Sequence, residues 1–228
     1  MTAAEFPVVQ PEDIAALPRI GTDEAGKGDY FGDLVVAGVY LDALGELAAN
    51  RMGVRDSKKL SDARAQTIAR EIKSAFPHEI VRISPAKYND LYEKMGNLNH
   101  LLAWAHARVI ENLLPRTGAA LAVSDQFGSP AVLENALMRA GRQVRLVQIT
   151  RGERDLAVAA ASILARATFL QRLEALSREA GEELPRGATH VLAAGRKLFQ
   201  QGGLPLLRRV AKLHFRTTAQ IAGTERAP

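Results

Sequence analysis

The sequence of 228 residues contains no cysteine, a single tryptophan and only 5% aromatic residues. Without cysteine the protein has neither disulfide bonds nor thiolate metal ligands, so any bound metal must use oxygen or histidine ligands. The lack of cysteine also suits a reducing cytoplasm. There is no run of about 18 apolar residues, and residues 1–7 lack the charged and then apolar pattern of a signal peptide. We therefore expect a soluble, cytoplasmic protein with no membrane partner.

Acidic residues are outnumbered, because 25 Asp and Glu stand against 30 Lys and Arg, for a net charge of +5. The excess is concentrated after residue 195, where one acidic residue, Glu225, accompanies seven basic ones. This distribution predicts a basic C-terminal helical segment and favours a polyanionic partner. The seven basic residues are Arg196, Lys197, Arg208, Arg209, Lys212, Arg216 and Arg226.

The order of apolar patterns predicts one α/β domain over residues 19–228, preceded by an N-terminal arm over residues 1–18 with one short helix from Pro11 to Leu17. Strands are expected up to Ile20 and over 33–40, 79–84, 119–125 and 143–149. Helices are expected over 62–76, 85–95, 98–113, 130–140, 156–179 and 190–200, and residues 41–50 are helical or loop-like. Pro115 is expected to end the helix that starts at Leu98.

Glycine and carboxylate residues are densest in the stretch Gly21-Thr22-Asp23-Glu24-Ala25-Gly26-Lys27-Gly28-Asp29-Tyr30-Phe31-Gly32. Two interpretations of these residues are equally open. The stretch is either an ordinary hairpin with a polar loop, or a pair of metal-binding carboxylates followed by a turn whose bare backbone approaches a ribose or phosphate. Neighbouring strand residues point to opposite faces, so Asp23 and Glu24 share one site only if the backbone kinks, which Gly26 and Gly28 permit.

Two further acids follow predicted elements. Asp125 ends a continuous apolar strand, where α/β proteins collect their chemistry, although a turn-initiating role is the alternative. Asp155 precedes the helix that starts at Leu156, so it is either an N-cap or a fourth carboxylate. His100 and His106 lie six residues apart and fall on different helix faces, which predicts structural or surface roles and no paired metal site.

These motifs resemble those of a known family. The stretch from Gly21 to Gly32 is similar to the N-terminal signature of the type 2 ribonucleases H, and Asp29-Tyr30-Phe31-Gly32 resembles ribonuclease HIII in particular. The resemblance spans roughly residues 19–220 and implies a ribonuclease H-like fold, an α/β fold with a central mixed β-sheet flanked by helices. It is also carried by the segments 56–60 (Asp-Ser-Lys-Lys-Leu), 158–166 (Val-Ala-Ala-Ala-Ser-Ile-Leu-Ala-Arg), 184–189 and 212–216.

The resemblance implies a metal-dependent nuclease. Its catalytic and metal-binding residues would be Asp23, Glu24, Asp125 and Asp155, with Glu153 as the alternative fourth acid. Clustered carboxylates repel one another unless divalent cations neutralise them, and hard oxygen ligands favour Mg²⁺ or Mn²⁺, here two ions. The nucleic-acid-binding residues would be Gly26, Lys27, Gly28, Lys58, Lys59, Arg186, Arg208, Arg209 and Lys212.

The implied activity is hydrolysis of the RNA strand of RNA–DNA hybrids by a monomer, leaving 5′-phosphate and 3′-hydroxyl ends. The alternative is ribonuclease HII-like cleavage at single ribonucleotides embedded in duplex DNA. Two departures bear on this choice. Ribonuclease HIII usually carries an N-terminal substrate-binding domain, whereas about twenty residues precede the signature here. Ribonuclease HII recognises the junction through a tyrosine in its C-terminal half, whereas the last tyrosine here is Tyr92. We therefore expect cleavage within RNA stretches.

Overall fold

The structure is a computed structural model that describes residues 17–55, 57–126, 130–137, 141 and 144–223, apart from the side chains of Lys58, Pro130 and Glu153. The short helix predicted within the N-terminal arm falls almost entirely outside these residues.

The sheet is mixed, as predicted. Its strands are β1 (Arg19–Ala25), β2 (Leu34–Leu41), β3 (His78–Ile83), β4 (Leu121–Asp125) and β5 (Arg145–Ile149), in the order β3-β2-β1-β4-β5. Strand β2 pairs with β1 and β3 in antiparallel fashion, while β4 runs parallel to β1 and β5. Because β1 and β4 are parallel neighbours, their carboxyl ends lie at the same edge of the sheet.

The helices follow the predicted sequence of elements. They are α1 (Ala43–Met52), α2 (Asp62–Ala75), α3 (Pro85–Met95), α4 (Leu98–Thr117), α5 (Pro130–Ala136), α6 (Leu156–Ala180), α7 (Leu192–Val210) and α8 (Thr217–Ala222), with 3₁₀ turns at Ser57–Lys59 and Gly152–Arg154. Ser61 is the N-cap of α2, since its side chain accepts a hydrogen bond from the backbone N–H of Arg64.

Two helices end later than the sequence predicts. Helix α4 continues past Pro115 to Thr117, because a proline in the last turn costs only one intrahelical hydrogen bond, and Gly118 then ends the helix at φ 61°. Helix α7 continues past Gln200 to Val210. It absorbs a kink at Gly203, whose φ of 61° and ψ of −155° are open to glycine.

Helix α6 lies at the centre of the fold, against β1, β2 and α2, while α4 covers the opposite face of the sheet. Close contact with β1 depends on Gly21, because a Cβ atom there would lie 2.1 Å from the carbonyl carbon of Ala157. Of the described helices, α6 has the length and composition to cross a membrane, yet 67% of its most apolar window is buried in this fold. It is therefore a core helix here.

Candidate active site

The first two candidate carboxylates lie at the end of β1 and face opposite sides of the sheet. Asp23 receives a hydrogen bond from Ser162 of α6, whereas Glu24 lies against His106 of α4. Strand β1 keeps its pairing with β2 through Ala25, so the backbone does not kink between the two acids as the sequence suggested. Both side chains nevertheless line one cavity, because they stand at the strand's end where the two faces meet.

The sharp bend comes at Gly26, directly after β1. Its φ is 85°, and a Cβ atom would lie 2.1 Å from the carbonyl oxygen of Asp33, so no other residue type fits. The turn is held from the far side by Asp29, whose carboxylate accepts a hydrogen bond of 2.6 Å from the backbone N–H of Gly187. Gly28 has open space around the position of a Cβ atom.

Asp125 reaches the same cavity from the end of β4, as its place after a buried strand predicted. Its carboxylate accepts a hydrogen bond of 2.8 Å from the backbone N–H of Gly152 in the following 3₁₀ turn. A Cβ atom on Gly152 would lie 2.9 Å from the Cα atom of Asp125, so glycine is what lets this turn approach the carboxylate.

The cavity encloses about 490 Å³ and is lined largely by charged and polar groups. Its carboxylates are those of Asp23, Glu24, Asp29 and Asp125, and its other polar lining residues are Ser57, Ser162, Arg166 and Arg186. The arrangement is an acidic cluster bordered by hydroxyl groups and guanidinium groups. Such a cavity suits a ligand that brings both positive and negative charge, which is the character of a metal-bound phosphodiester.

Burial and neighbouring charges shift the pKa values of Asp23 and Glu24 in opposite directions. Burial, with the neighbouring charges of Glu24 and Asp125, raises the pKa of Asp23 to about 7. Burial acts in the same direction on Glu24, but the hydrogen bond and charge of His106 and the ammonium of Lys27 outweigh it, so that the pKa of Glu24 is lowered. Glu24 therefore keeps its negative charge more readily than Asp23 does.

The structure shows the capping role that was the alternative for Asp155, and its role as the fourth carboxylate stays a prediction. Its Oδ1 caps helix α6 by accepting from the N–H groups of Ala157 and Val158, and its Oδ2 pairs with Arg19 at 2.6 Å. Arg19 is buried and also pairs with Glu46. Asp155 is occupied by these structural contacts and does not line the cavity. Glu153, the alternative, follows directly after Gly152 in the turn that touches Asp125.

The donor set fits hard divalent cations. Within the described residues no three Asp, Glu or His side chains already form a closed metal cluster. An open arrangement of carboxylates at the edge of a cavity is what Mg²⁺ and Mn²⁺ use, because these ions keep water and take further ligands from substrate phosphates. The raised pKa of Asp23 shows that its ionised form is disfavoured without a neighbouring positive charge, which a bound cation would supply.

Some predicted nucleic-acid contacts lie at the cavity. Gly26 and Arg186 line it, and Lys27 lies next to it with its ammonium 3.3 Å from Glu24. Gly28, which follows Lys27 in the chain, is exposed, and so is Lys59, which belongs to the same 3₁₀ turn as Ser57. The side chain of Lys58 is outside the described residues.

Arg208, Arg209 and Lys212, the predicted nucleic-acid-binding residues of the C-terminal segment, do not line the cavity. Lys212 is fully buried, and its ammonium donates to the carbonyl oxygens of Asp29 at 2.8 Å and Gly32 at 2.7 Å, so its predicted contact with nucleic acid is wrong. Arg208 pairs with Asp90 and Glu93, each at 2.7 Å. Arg209 is exposed beside a small separate cavity next to α6. These three basic residues are close in the sequence, but the fold places their charged groups in three different surroundings.

Several residues that line or support the cavity were not predicted from sequence. His106, expected to be structural, is buried beneath Glu24, and Ser57, Ser162 and Arg166 form part of the cavity wall. For Ser162 and Arg166 a signal was present, because both lie in the helix motif at 158–166 with a spacing of four residues, which places them on one helix face. For His106 and Ser57 only the fold shows the contact.

Comparison with known proteins shows the family to which the chain belongs. Residues 20–218 match the family model Ribonuclease HII. The chain is 46% identical over 207 residues to Ribonuclease HIII of Protochlamydia amoebophila (strain UWE25), covering 90% of this chain and 69% of that protein. It is 45% identical over 210 residues to Ribonuclease HIII of Chlamydia pneumoniae, covering 90% of this chain and 70% of that protein.

Solved structures show the same relationship. The crystal structure of Bst-RNase HIII in complex with Mn²⁺ superposes with a TM-score of 0.87 at 32% identity, over 99% of this chain and 77% of that one. The crystal structure of Aquifex aeolicus RNase H3 gives a TM-score of 0.71 at 31% identity, over 88% of this chain and 72% of that one.

The fold and the carboxylate-lined cavity define an enzyme of the ribonuclease H class, and the predicted ribonuclease H-like fold is confirmed. The chain belongs to the ribonuclease HII family and, within it, to the ribonuclease HIII proteins.

Proposed function

We propose that this protein is an endonuclease that hydrolyses the RNA strand of RNA–DNA hybrids at the cavity lined by Asp23, Glu24 and Asp125, leaving 5′-phosphate and 3′-hydroxyl ends. The observation that carries the proposal is the meeting of these carboxylates, from the ends of β1 and β4, in one cavity. There burial, together with the neighbouring charges of Glu24 and Asp125, raises the pKa of Asp23 to about 7. Excess negative charge at a site that must receive a phosphodiester requires cations.

The cofactor we propose is a pair of Mg²⁺ or Mn²⁺ ions held by these carboxylates. The structure of Bst-RNase HIII in complex with Mn²⁺ supports a divalent cation of this kind. When bound, such ions supply a polarised water and neutralise charge at the scissile phosphate. The chain's own contribution is to hold its carboxylates with fixed partners: Ser162 on Asp23, His106 on Glu24 and the N–H of Gly152 on Asp125.

We propose Asp155 as the fourth carboxylate, with Glu153 as the alternative. The backbone of Gly152 hydrogen-bonds to Asp125, and the turn from Gly152 to Arg154 leads directly to Asp155 at the start of α6. Asp155 also pairs with Arg19 and caps α6. This assignment rests on the position of the backbone turn.

Recognition of the RNA strand is proposed for the turn formed by Gly26, Lys27 and Gly28. The open space at Gly28 allows a ribose to approach the backbone, whose N–H and C=O groups can bond to a 2′-hydroxyl as donor and acceptor. Lys27 adds attraction for phosphate without sequence preference.

The test is cleavage, with Mg²⁺ and separately with Mn²⁺, of two labelled duplexes. One carries a continuous RNA strand against DNA and the other a single ribonucleotide in duplex DNA. We expect cleavage of the first, sparing of the second, and loss of activity in Asp125→Asn. Near-normal hybrid cleavage by Asp125→Asn would overturn the assignment of the site. Efficient cleavage of the second duplex would support the ribonuclease HII-like alternative instead.

A further inference from the structure

One wall of the cavity is not explained by the carboxylates. Ser57, Ser162 and Arg166 line it, and we call these residues the α6 wall because Ser162 and Arg166 belong to that helix. Ser57 is 5% exposed, and the side chain of Arg166 is 23% exposed. The stem of this arginine is therefore packed while its guanidinium borders the cavity.

The α6 wall is joined to the catalytic carboxylates by a short chain of hydrogen bonds. Ser162 bonds to Asp23, and the hydroxyl oxygens of Ser162 and Ser57 lie 2.8 Å apart. The guanidinium of Arg166 in turn donates to the backbone carbonyl oxygen of Ser57. The guanidinium thus has a fixed position relative to Asp23, a few hydrogen bonds away.

Asp62, at the start of α2, fixes the other side of the guanidinium. Its Oδ1 accepts from Nη2 of Arg166 at 2.6 Å, and its Oδ2 lies 3.2 Å from Nη1 of Arg186. The side chain of Asp62 is 40% exposed, and an ion pair in that setting contributes little to stability by itself. Two contacts in different directions do, however, orient a planar guanidinium and reduce the entropy it loses on binding a ligand.

We propose that Arg166 binds a backbone phosphate of the cleaved strand adjacent to the scissile phosphate, and that Asp62 is a positioning residue for this arginine. The inference rests on the proposed function, because it takes the nucleic-acid strand to occupy this cavity. A guanidinium presents donors in a fixed planar fork that matches phosphate oxygens. Apart from Arg186, the charged residues that line the rest of the cavity are acidic, so Arg166 is the cation that the α6 wall offers to the strand's phosphates.

The experiment measures the dissociation constant of a fluorescein-labelled RNA–DNA hybrid by anisotropy in EDTA, across a series of NaCl concentrations. For Arg166→Gln we expect about tenfold weaker binding, because one phosphate contact is lost. For the same reason the steepness of the plot of log association constant against log salt concentration should fall by about 0.7 to 0.9. Arg166→Lys keeps the charge, so the slope is retained while affinity falls about threefold. Asp62→Asn is expected to weaken binding with the slope retained.

The matched control is Arg178→Gln, which removes an arginine from the same helix at a site where the side chain is 72% exposed and pairs with Glu174. Its affinity and slope should equal those of the wild type. An unchanged slope in Arg166→Gln, with only a lower melting temperature, would overturn the proposal and leave Arg166 a structural residue.

Hybrid cleavage by the wild type is measured in the same preparation. Absence of cleavage with the slope change present would refute the proposed function and leave the phosphate site standing. Cleavage by the wild type with no slope change in Arg166→Gln would support the proposed function and refute the phosphate site.

Discussion

The imidazole of His106 lies directly beneath the carboxylate of Glu24, with Nε2 of the histidine 3.2 Å from Oε2 of the glutamate. An ionised carboxylate only accepts hydrogen bonds, so Nε2 is the donor. Nδ1 of the same ring lies 2.9 Å from the hydroxyl oxygen of Thr22, which is on the same strand as Glu24. This buried contact holds Glu24 in one orientation at the cavity.

We predict that His106→Ala weakens Mn²⁺ binding by about 10- to 100-fold, because residues that orient a metal-binding carboxylate have effects of this size. His106→Gln, which keeps one donor, should fall between the alanine variant and the wild type. Titration calorimetry on the protein without substrate measures the affinity directly. His100→Ala is the control, since His100 is exposed on the same helix; equal losses in both alanine variants would contradict a role for the contact with Glu24.

The two candidates for the fourth acid are separated by their effects on stability and cleavage. Asp155→Asn keeps a cap for α6 but leaves buried Arg19 with one carboxylate partner fewer, so we expect a loss of about 1 to 3 kcal/mol in unfolding free energy. Cleavage per folded molecule should also be lost, because we propose Asp155 as the fourth acid. Glu153→Gln should keep both cleavage and stability. Urea unfolding and hybrid cleavage measure the two quantities, and loss of cleavage in Glu153→Gln alone would make Glu153 the fourth acid.

Gly26 and Gly28 form a matched pair of positions in one turn. Gly26→Ala should destabilise the protein severely, because the new Cβ atom would meet the carbonyl oxygen of Asp33 at 2.1 Å and φ is 85°. Gly28→Ala meets no atom within 4 Å, so its melting temperature should be close to that of the wild type.

If the backbone at Gly28 meets the ribose, the added methyl group should still raise KM for the hybrid several-fold. Steady-state cleavage together with a melting curve tests both glycines. An unchanged KM in Gly28→Ala would place the ribose elsewhere.

Lys212 makes stability depend on pH. Burial lowers the pKa of its ammonium to about 8, below the value of 10.5 that applies to an unfolded chain. Between these values the unfolded chain binds more protons than the folded one, so the contribution of Lys212 to stability rises with pH from about 8 to about 10.5.

We therefore expect the difference in unfolding free energy between the wild type and Lys212→Met to grow by on the order of 2 kcal/mol from pH 8 to pH 10. Denaturant unfolding at each pH provides the measurement. Lys197→Met controls for the loss of one positive charge at an exposed position, where the side chain is 62% exposed. A difference in unfolding free energy that stays constant with pH would contradict the lowered pKa of Lys212.

The sequence by itself determined the order of the elements, the mixed α/β class and the positions of Asp23, Glu24 and Asp125 at strand ends. These follow from local signals: the period of the apolar residues, the cap at Ser61, and acids placed directly after buried runs. Such signals act over a few residues, so they survive without knowledge of the rest of the chain. The segments that resemble ribonuclease HIII indicate the same fold class and the same three acids.

Only the tertiary structure decided what the isolated charged residues do. Lys212 carries the charge expected of a phosphate contact, yet it is buried and donates to two backbone carbonyl oxygens. Asp155 gains an ion pair with Arg19 that the sequence did not predict. His106 and Ser57 gained their partners from segments 82 and 105 residues away in the chain. The partner of a charged or polar group depends on which segments the fold brings within about 3 Å, and no local pattern contains that information.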